Sequence, residues 1–139
     1  MRKIIVLSFI SLDGVMQAPG GPDEDTSGGF AYGGWTFPYF DEMAGQLMGK
    51  QMDHPFDLLL GRKTYDIFAA YWPHQDETNF VTKPFNNATK YVVSHSAIEL
   101  PWKKSVLIQG DVVEEIKKLK AGDGPELQVH GSGNLIQTL

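Results

Sequence analysis

The stretch Phe56-Asp57-Leu58-Leu59-Leu60-Gly61-Arg62-Lys63-Thr64-Tyr65 decides the fold. Its apolar run is short and ends at Gly61, which is typical of a buried strand with both faces covered. The residues that follow predict a helix from Arg62 to Tyr71, because Trp72 precedes a proline and such a residue avoids the α region. The stretch therefore predicts a strand that leads directly into a helix.

The same alternation of strands and helices continues on both sides of this stretch. We predict strands over residues 3–10, 56–60, 90–93, 105–108 and 126–130, and helices over residues 40–52, 62–71, 111–122 and from 134 onward, with a helical turn near 79–83. Residues 3–10 are a nearly continuous apolar run, so we expect a buried strand that is covered on both faces. The pattern predicts one α/β domain, residues 1–139, with a mostly parallel central sheet flanked by helices. The last helix stops early without a cap, so we expect the chain to be C-terminally incomplete.

Composition excludes several classes of protein. With 139 residues, 42% of them hydrophobic and 21% charged, the chain resembles one soluble globular domain. The net charge of −5 counts against a nucleic-acid partner, and no apolar run approaches the roughly 20 residues of a membrane-spanning helix. Cysteine is absent, which excludes disulfides and thiolate metal sites and favours a cytoplasmic location. The histidines never lie four residues apart, so we predict no metal site.

Residues 16–38 form a long segment rich in glycine, proline and aromatic residues. A loop of this length inside a small domain is typically a functional flap. We expect it to fold back over an apolar site and to exclude water there. The aromatic residues Trp35, Phe37 and Phe40 could line a pocket for a flat substrate, and core packing is the alternative.

Three predicted strand ends carry residues suited to phosphate, and ligands of open α/β sheets bind beyond the carboxyl ends of the strands. At the first end, Arg62 and Lys63 lie in the opening turn of a helix, where each cation costs about 0.3–1 kcal/mol against the helix dipole. A bound anion would reverse this cost, and the Thr64 hydroxyl could add a hydrogen bond. The alternative is that both cations simply point into water.

The second and third ends are Ser94-His95-Ser96 and His130-Gly131-Ser132-Gly133-Asn134. The two serines and the histidine of the second could hold a phosphate or a ribose, although serine also favours turns for its local hydrogen bonds. The glycines of the third would let the backbone approach a pyrophosphate. This motif lacks the third glycine of the usual dinucleotide fingerprint, so an ordinary Rossmann dehydrogenase is excluded.

Four motifs in order resemble the dihydrofolate reductase-like family: Ser-Leu-Asp-Gly at 11–14, Gly-Arg-Lys-Thr-Tyr at 61–65, Val-Val-Ser at 92–94 and Gly-Ser-Gly at 131–133. The branch it resembles is the bacterial group related to the C-terminal reductase domain of the riboflavin-biosynthesis deaminase/reductase. Residues 70–73 and 102–111 are also similar to that group, so the resemblance spans essentially the whole chain. It implies a dihydrofolate reductase-like fold, whose C-terminal strands would be missing here.

The resemblance implies NADPH as the cofactor, with NADH as an alternative because His95 stands where relatives often carry a cation. Residues 62–64 would meet the cofactor phosphates, residues 94–95 the adenosine 2′-phosphate, and residues 131–135 the pyrophosphate and nicotinamide. The implied cofactor-binding residues are Gly61, Arg62, Lys63, Thr64, Ser94, His95, Gly131, Ser132, Gly133, Asn134 and Leu135.

On the substrate side, the resemblance implies that the loop starting at Ser11 and Asp13 closes over the reaction site. Folate reductases carry an acid on the preceding helix, and the nearest acids here are Asp41 and Glu42. We take Asp41 as the candidate proton donor. The alternatives are that these acids stabilise a helix start and that Asp13 is a turn residue.

We therefore predict an NAD(P)H-dependent reductase that transfers a hydride to a small, flat, pterin- or pyrimidine-like substrate, similar to the phosphoribosylaminouracil reductase of riboflavin biosynthesis. The alternative is a non-catalytic nucleotide-binding or assembly module on the same fold. An incomplete sheet would expose apolar surface and strand edges, so we also expect a homo-oligomer, with no nucleic-acid or membrane partner.

Overall fold

The computed structural model describes residues 1–139, which form two compact units. The larger unit comprises residues 1–7 and 52–139, and the smaller unit comprises residues 8–51. The single-domain assignment stays a prediction. No helix in the structure combines the length and the apolar character needed to cross a bilayer.

The larger unit is built on a five-stranded sheet in which every pairing is parallel. The strands are β1 (Ile4–Val6), β2 (Phe56–Gly61), β3 (Lys90–Val93), β4 (Ser105–Ile108) and β5 (Glu126–Val129). They lie in the order β1-β5-β2-β3-β4. The predicted α/β fold is confirmed, with a sheet that is parallel throughout.

The chain contains five α-helices: α1 (Glu42–Met52), α2 (Arg62–Tyr71), α3 (Thr82–Asn87), α4 (Val112–Ala121) and α5 (Gly133–Thr138). Three short 3₁₀ helices lie at Ser27–Gly29, Phe37–Tyr39 and Trp72–His74. Asp111 caps α4, because its carboxylate accepts the Glu114 N–H at 3.2 Å. The Glu114 carboxylate itself accepts from Lys117 Nζ at 2.8 Å.

One sequence prediction is wrong. The strand predicted over residues 3–10 covers only Ile4–Val6, and it lies at the edge of the sheet, where Val6 is 46% exposed. An edge strand has a hydrogen-bonded neighbour on one side only, so its apolar residues are not enclosed as those of a central strand are. The helical turn predicted near 79–83 is present, since the Thr82 N–H donates to the Asn79 carbonyl at 3.1 Å, and it continues into α3.

The central strand β2 is buried along its whole length, as predicted for a strand covered on both faces. On one side of the sheet, Leu59, Leu127 and Val129 form a core cluster with residues of β4, α4 and α5. Aromatic rings pack together elsewhere in the larger unit, where the ring centres of Phe68 in α2 and Phe85 in α3 lie 5.6 Å apart. Helices α2 and α4 begin directly after β2 and β4, so chain direction alone puts their first turns at the carboxyl edge of the sheet.

Lys90 at the start of β3 is fully buried and has no carboxylate partner among its hydrogen bonds. Its Nζ donates to the Asn86 carbonyl at 2.9 Å and to the Lys103 carbonyl at 3.1 Å, and it lies 4.2 Å from the centre of the Trp102 ring. Burial, assisted by the charge of Lys104, lowers the pKa of Lys90 to about 8. The cation is held by carbonyl dipoles and an aromatic face alone.

This arrangement predicts a pH-dependent stability. Between about pH 8 and the ordinary lysine value of 10.5, the unfolded chain binds the Lys90 proton more tightly than the folded chain does. The free energy of unfolding should therefore rise with pH across this window, by up to about 1.4 kcal/mol per pH unit. Urea denaturation at several pH values should show this rise in the free energy of unfolding in the wild type and in the control Lys117→Met. The rise should be absent from Lys90→Met. Parallel pH profiles for all three proteins would refute it.

Candidate functional site

The carboxyl ends of three neighbouring strands meet at one edge of the sheet. Strand β2 lies between β5 and β3, and Gly61 at its end pairs in register with Val93. The Gly61 N–H also donates to the Gly131 carbonyl at 3.4 Å. The turn after β5, the start of α2 and Ser94 are therefore adjacent, which is the arrangement that the three sequence motifs predict.

Gly61 and Gly131 allow two turns to approach each other closely. A Cβ at Gly61 would overlap the Ser132 Oγ atom, and a Cβ at Gly131 would lie 2.8 Å from Thr64 Oγ1. Gly131 has a φ of 139°, which side-chain-bearing residues rarely adopt, and its peptide bond to Ser132 is cis. Side chains at either position would push the β5–α5 turn away from the first turn of α2.

The first turn of α2 has no side-chain cap. Gly61 occupies the N-cap position, and the turn contains no acidic residue. Gly61 has no side chain, so the N-cap residue itself offers no side-chain acceptor to the amide N–H groups at the positive end of the helix dipole. Such a helix start suits an anion.

Arg62 is held by a residue that the sequence analysis missed. Its Nε lies 2.6 Å from Asp66 Oδ2, and the two side chains are 45% and 50% exposed. The i, i+4 spacing was the available signal. Asp66 offsets part of the cost of a cation at the helix start, and an exposed pair of this kind contributes only about 0–1 kcal/mol. Arg62 can therefore exchange this partner for a phosphate at little cost.

The turn after β3 is held largely by its own hydrogen bonds. The buried Ser94 hydroxyl donates to the Ser96 carbonyl at 2.9 Å and lies 3.3 Å from the Ser96 nitrogen, which donates to it. This is the turn chemistry that the sequence analysis gave as the alternative for Ser94. His95 is exposed at the same edge.

The turn after β5 leads into α5, which begins at Gly133, one residue earlier than predicted. Ser132 is at the N-cap and its side chain makes no capping bond, and Asn134 is exposed. The Leu135 side chain is buried in the core cluster, so only its backbone can face a ligand.

His130, directly before this turn, is a second residue that the predicted site left out. Its ring lies 5.0 Å from the Phe85 ring and 6.4 Å from the Phe68 ring, measured between centres. Its Nε2 lies 3.2 Å from Gln128 Oε1. Burial lowers the pKa of His130 to about 4, so the imidazole is neutral near pH 7.

In the smaller unit, Asp41 caps a helix. Its Oδ1 accepts the Ala44 N–H at 2.8 Å, which fixes the carboxylate at the start of α1. The helix itself begins two residues later than predicted, at Glu42. This contact matches the alternative interpretation of Asp41, that of an acid stabilising a helix start.

Ser11 and Asp13 form a tight turn. The Ser11 hydroxyl donates to Asp13 Oδ1 at 2.6 Å and accepts the Val15 N–H at 2.8 Å. The bond from Ser11 lowers the pKa of Asp13, with a smaller contribution from its own backbone N–H. These contacts match the alternative given for Asp13 in the sequence analysis, that of a turn residue.

The three aromatic candidates differ in their surroundings. Trp35 Nε1 donates to the Gln17 carbonyl at 2.9 Å, which ties the glycine-rich segment to itself. Phe40 packs edge-on against Phe9 with ring centres 6.4 Å apart. Phe37 is 68% exposed. Trp35 and Phe40 thus pack within the smaller unit, and the substrate-facing role of all three stays a prediction.

One curated protein is similar to this chain in sequence, and one solved structure shares its fold. Protein YyaP of Bacillus subtilis (strain 168), described as uncharacterized, is 29% identical over 84 residues, which are 58% of this chain and 44% of that protein. The crystal structure of a candidate riboflavin biosynthesis protein from Shewanella sp. PV-4 superposes with a TM-score of 0.54 at 23% identity, covering 94% of this chain and 65% of that one. The chain thus spans less than two thirds of the length of each relative.

The match to a family extends over nearly all of the sequence. Residues 2–139 match the family described as the RibD C-terminal domain. The parallel sheet and the order of motifs along it agree with this match, and the resemblance drawn from the sequence is confirmed. The chain therefore belongs to the RibD C-terminal domain family.

Proposed function

We propose that this chain is an NAD(P)H-dependent reductase that transfers a hydride to a small, flat, pterin- or pyrimidine-like heterocycle. The observation that carries the proposal is the meeting of the Gly61–Thr64 turn, Ser94 and the Gly131–Gly133 turn at one edge of a parallel sheet. Family membership supports a nicotinamide cofactor and a riboflavin-pathway type of reduction. The name of the Shewanella protein points the same way.

The residues at this edge fit a dinucleotide. An uncapped first turn of α2 offers amide N–H groups to one phosphate, and Arg62 and Lys63 add positive charge beside it. The glycines of the β5–α5 turn carry no side chain that would keep a pyrophosphate from the backbone. When bound, the nicotinamide supplies the hydride. The chain's own part is to hold the phosphates, orient the ring and exclude water.

The phosphate assignment is tested by a charge-matched pair of double variants. Arg62→Ala with Lys63→Ala should weaken NADPH binding at least about tenfold, because hydrogen bonds to charged groups contribute about 1.5–3 kcal/mol each. Lys117→Ala with Lys118→Ala removes the same net charge from the exposed face of α4 and should leave the affinity within about twofold. Isothermal titration calorimetry gives both values. Equal affinity in the two variants would refute the assignment.

Catalysis and binding are separated by an oxidation assay. The absorbance of NADPH should fall when a pterin or a pyrimidine acceptor is added to the wild-type chain. Tight NADPH binding without oxidation of any acceptor would favour the alternative, a non-catalytic nucleotide-binding or assembly module. The capping role of the Asp41 carboxylate is the observation that favours this alternative, because that acid was the predicted proton donor.

Self-association is part of the same proposal. Strands β1 and β4 lie at the two edges of the sheet, and neither has a strand partner on its outer side. A second copy of the chain would cover such an edge.

A further inference from the structure

A line of hydrogen bonds runs along one face of β5 from its start to its end. His54 Nε2 lies 2.9 Å from Glu126 Oε1, and Gln128 Nε2 donates to the same oxygen at 3.1 Å. Gln128 Oε1 then lies 3.2 Å from His130 Nε2. Glu126, Gln128 and His130 share a face because side chains alternate along a strand. The line ends at the residue before Gly131.

The chemistry of these groups fixes the direction of each bond. The Glu126 carboxylate only accepts, so it draws the amide nitrogen of Gln128 towards itself. The amide oxygen of Gln128 is thereby turned to His130, and a carbonyl oxygen also only accepts. His130 must therefore carry a proton on Nε2. Burial alone would raise the pKa of Glu126, but the hydrogen bonds from Gln128 and His54 and the charge of Lys3 outweigh it, so the pKa is lowered and the carboxylate stays charged.

The other nitrogen of His130 is open. The imidazole is neutral near pH 7, so Nε2 holds its one proton and Nδ1 carries a lone pair. The hydrogen bond to Gln128 is made by Nε2, and Nδ1 has no hydrogen-bond partner in the protein. Two buried side-chain atoms of the protein lack both solvent contact and a hydrogen-bond partner, namely Trp72 Nε1 and Thr82 Oγ1, and Nδ1 is not one of them. Nδ1 is therefore not fully sealed from solvent, although the ring as a whole is largely buried at the end of β5.

We propose that Glu126 and Gln128 are positioning residues that lock His130 in its Nε2–H form, and that His130 Nδ1 accepts a hydrogen bond from an N–H group of the bound ligand. The ligand half of this inference rests on the proposed function. Two ligand groups have the required chemistry, namely the carboxamide of a nicotinamide and a ring N–H of a flat heterocycle. A ligand that offers only an acceptor at this point is disfavoured, because two lone pairs would face each other.

The tautomer is tested on the ligand-free full chain. Long-range ¹H–¹⁵N correlation spectra at pH 7 should show His130 as a single neutral Nε2–H form. Gln128→Leu should give a mixture of both neutral forms, and Gln128→Glu should raise the pKa of His130 measurably, because a carboxylate would replace the neutral acceptor. Gln137→Leu, which removes an exposed glutamine from α5, should leave the spectrum of His130 unchanged. If Gln128→Leu does not fold, the pKa of His130 in Gln128→Glu alone tests the positioning role, and an unchanged pKa would refute it.

The ligand half is tested by adding NADPH alone and then a pterin or uracil. The Nδ1 resonance should move on the addition that brings the donor N–H, which distinguishes the cofactor from the heterocycle. His130→Phe should weaken binding of that ligand about fivefold, and His130→Gln, which keeps an acceptor, should restore affinity to within about twofold.

Each failure has a distinct meaning. An Nδ1–H form, a charged imidazole at pH 7, or a tautomer indifferent to Gln128→Leu would overturn the positioning role. An unmoved Nδ1 resonance in a chain that binds both ligands would overturn the acceptor role. Absence of NADPH binding with the tautomer intact would instead overturn the proposed function, together with the ligand half of this inference.

Discussion

Replacing Gly131 with alanine is expected to lower the free energy of unfolding by about 2–6 kcal/mol and to weaken NADPH binding at least about tenfold. The added Cβ would lie 2.8 Å from Thr64 Oγ1, closer than such carbons normally approach. Overpacking of this kind costs about 1–3 kcal/mol, and a side chain at the φ of 139° adds about 1–3 kcal/mol of backbone strain. The β5–α5 turn would then move away from the first turn of α2, and both turns belong to the proposed cofactor site.

Two comparisons make this prediction specific. Gly49→Ala adds the same carbon inside α1, where nothing lies within 4 Å, and should raise stability slightly. Adding Thr64→Ala to Gly131→Ala removes the atom in collision and should recover part of the lost stability, but not the affinity, because the Thr64 hydroxyl is itself a proposed phosphate contact. Urea denaturation and calorimetric titration measure the two quantities. Wild-type stability in Gly131→Ala would show that the two turns do not need their close approach.

Replacing Asp57 with alanine is expected to lower the free energy of unfolding by about 3–5 kcal/mol, because it leaves the buried Arg2 guanidinium without its counter-charge. Arg2 Nη2 pairs with Asp57 Oδ2, and their side chains are only 3% and 13% exposed. Arg2 Nε also donates to the Pro125 carbonyl at 2.6 Å, and Asp57 Oδ1 accepts the Thr89 N–H at 3.1 Å. One ion pair therefore ties together the segments that lead into β1, β5 and β3.

Matched substitutions separate burial from charge in this second prediction. Asp66→Ala breaks the exposed pair with Arg62 and should cost less than about 1 kcal/mol. Arg2→Met combined with Asp57→Leu removes both charges and should recover most of the loss, because an apolar pair of similar size can replace a buried ion pair. Chemical denaturation of the four proteins at one pH gives the values. Equal losses in Asp57→Ala and Asp66→Ala would contradict the argument.

Local pattern was sufficient for most of the fold. Strands β2 to β5 were predicted within one residue, because each is a short apolar run bounded by turn residues or by a helix start. The adjacency of the three motifs followed from chain direction, since the carboxyl ends of parallel strands share an edge. The strand at residues 3–10 was overextended because an apolar run does not reveal which strand lies at an edge.

The site residues that sequence reasoning missed owe their properties to contacts with other side chains of the chain. His130 acquires its neutral state and its tautomer from Phe85 and Gln128, and a lone histidine in a sequence carries no sign of either contact. The pairing of Asp66 with Arg62 was predictable from the sequence, because Asp66 lies four residues after Arg62 on the same helix. The resemblance drew attention to Asp41, whose carboxylate accepts the Ala44 N–H, and its role as proton donor stays a prediction.

The position of β5 constrains the order in which the chain can assemble. Strand β1 pairs only with β5, so residues 4–6 stay without a sheet partner until residues 126–129 are available. During synthesis on the ribosome, more than a hundred residues must emerge between the two. Closing a loop of this length before its contacts form slows folding. The amino-terminal strand is thus a late-docking element, exposed to chaperones and proteases until β5 is inserted.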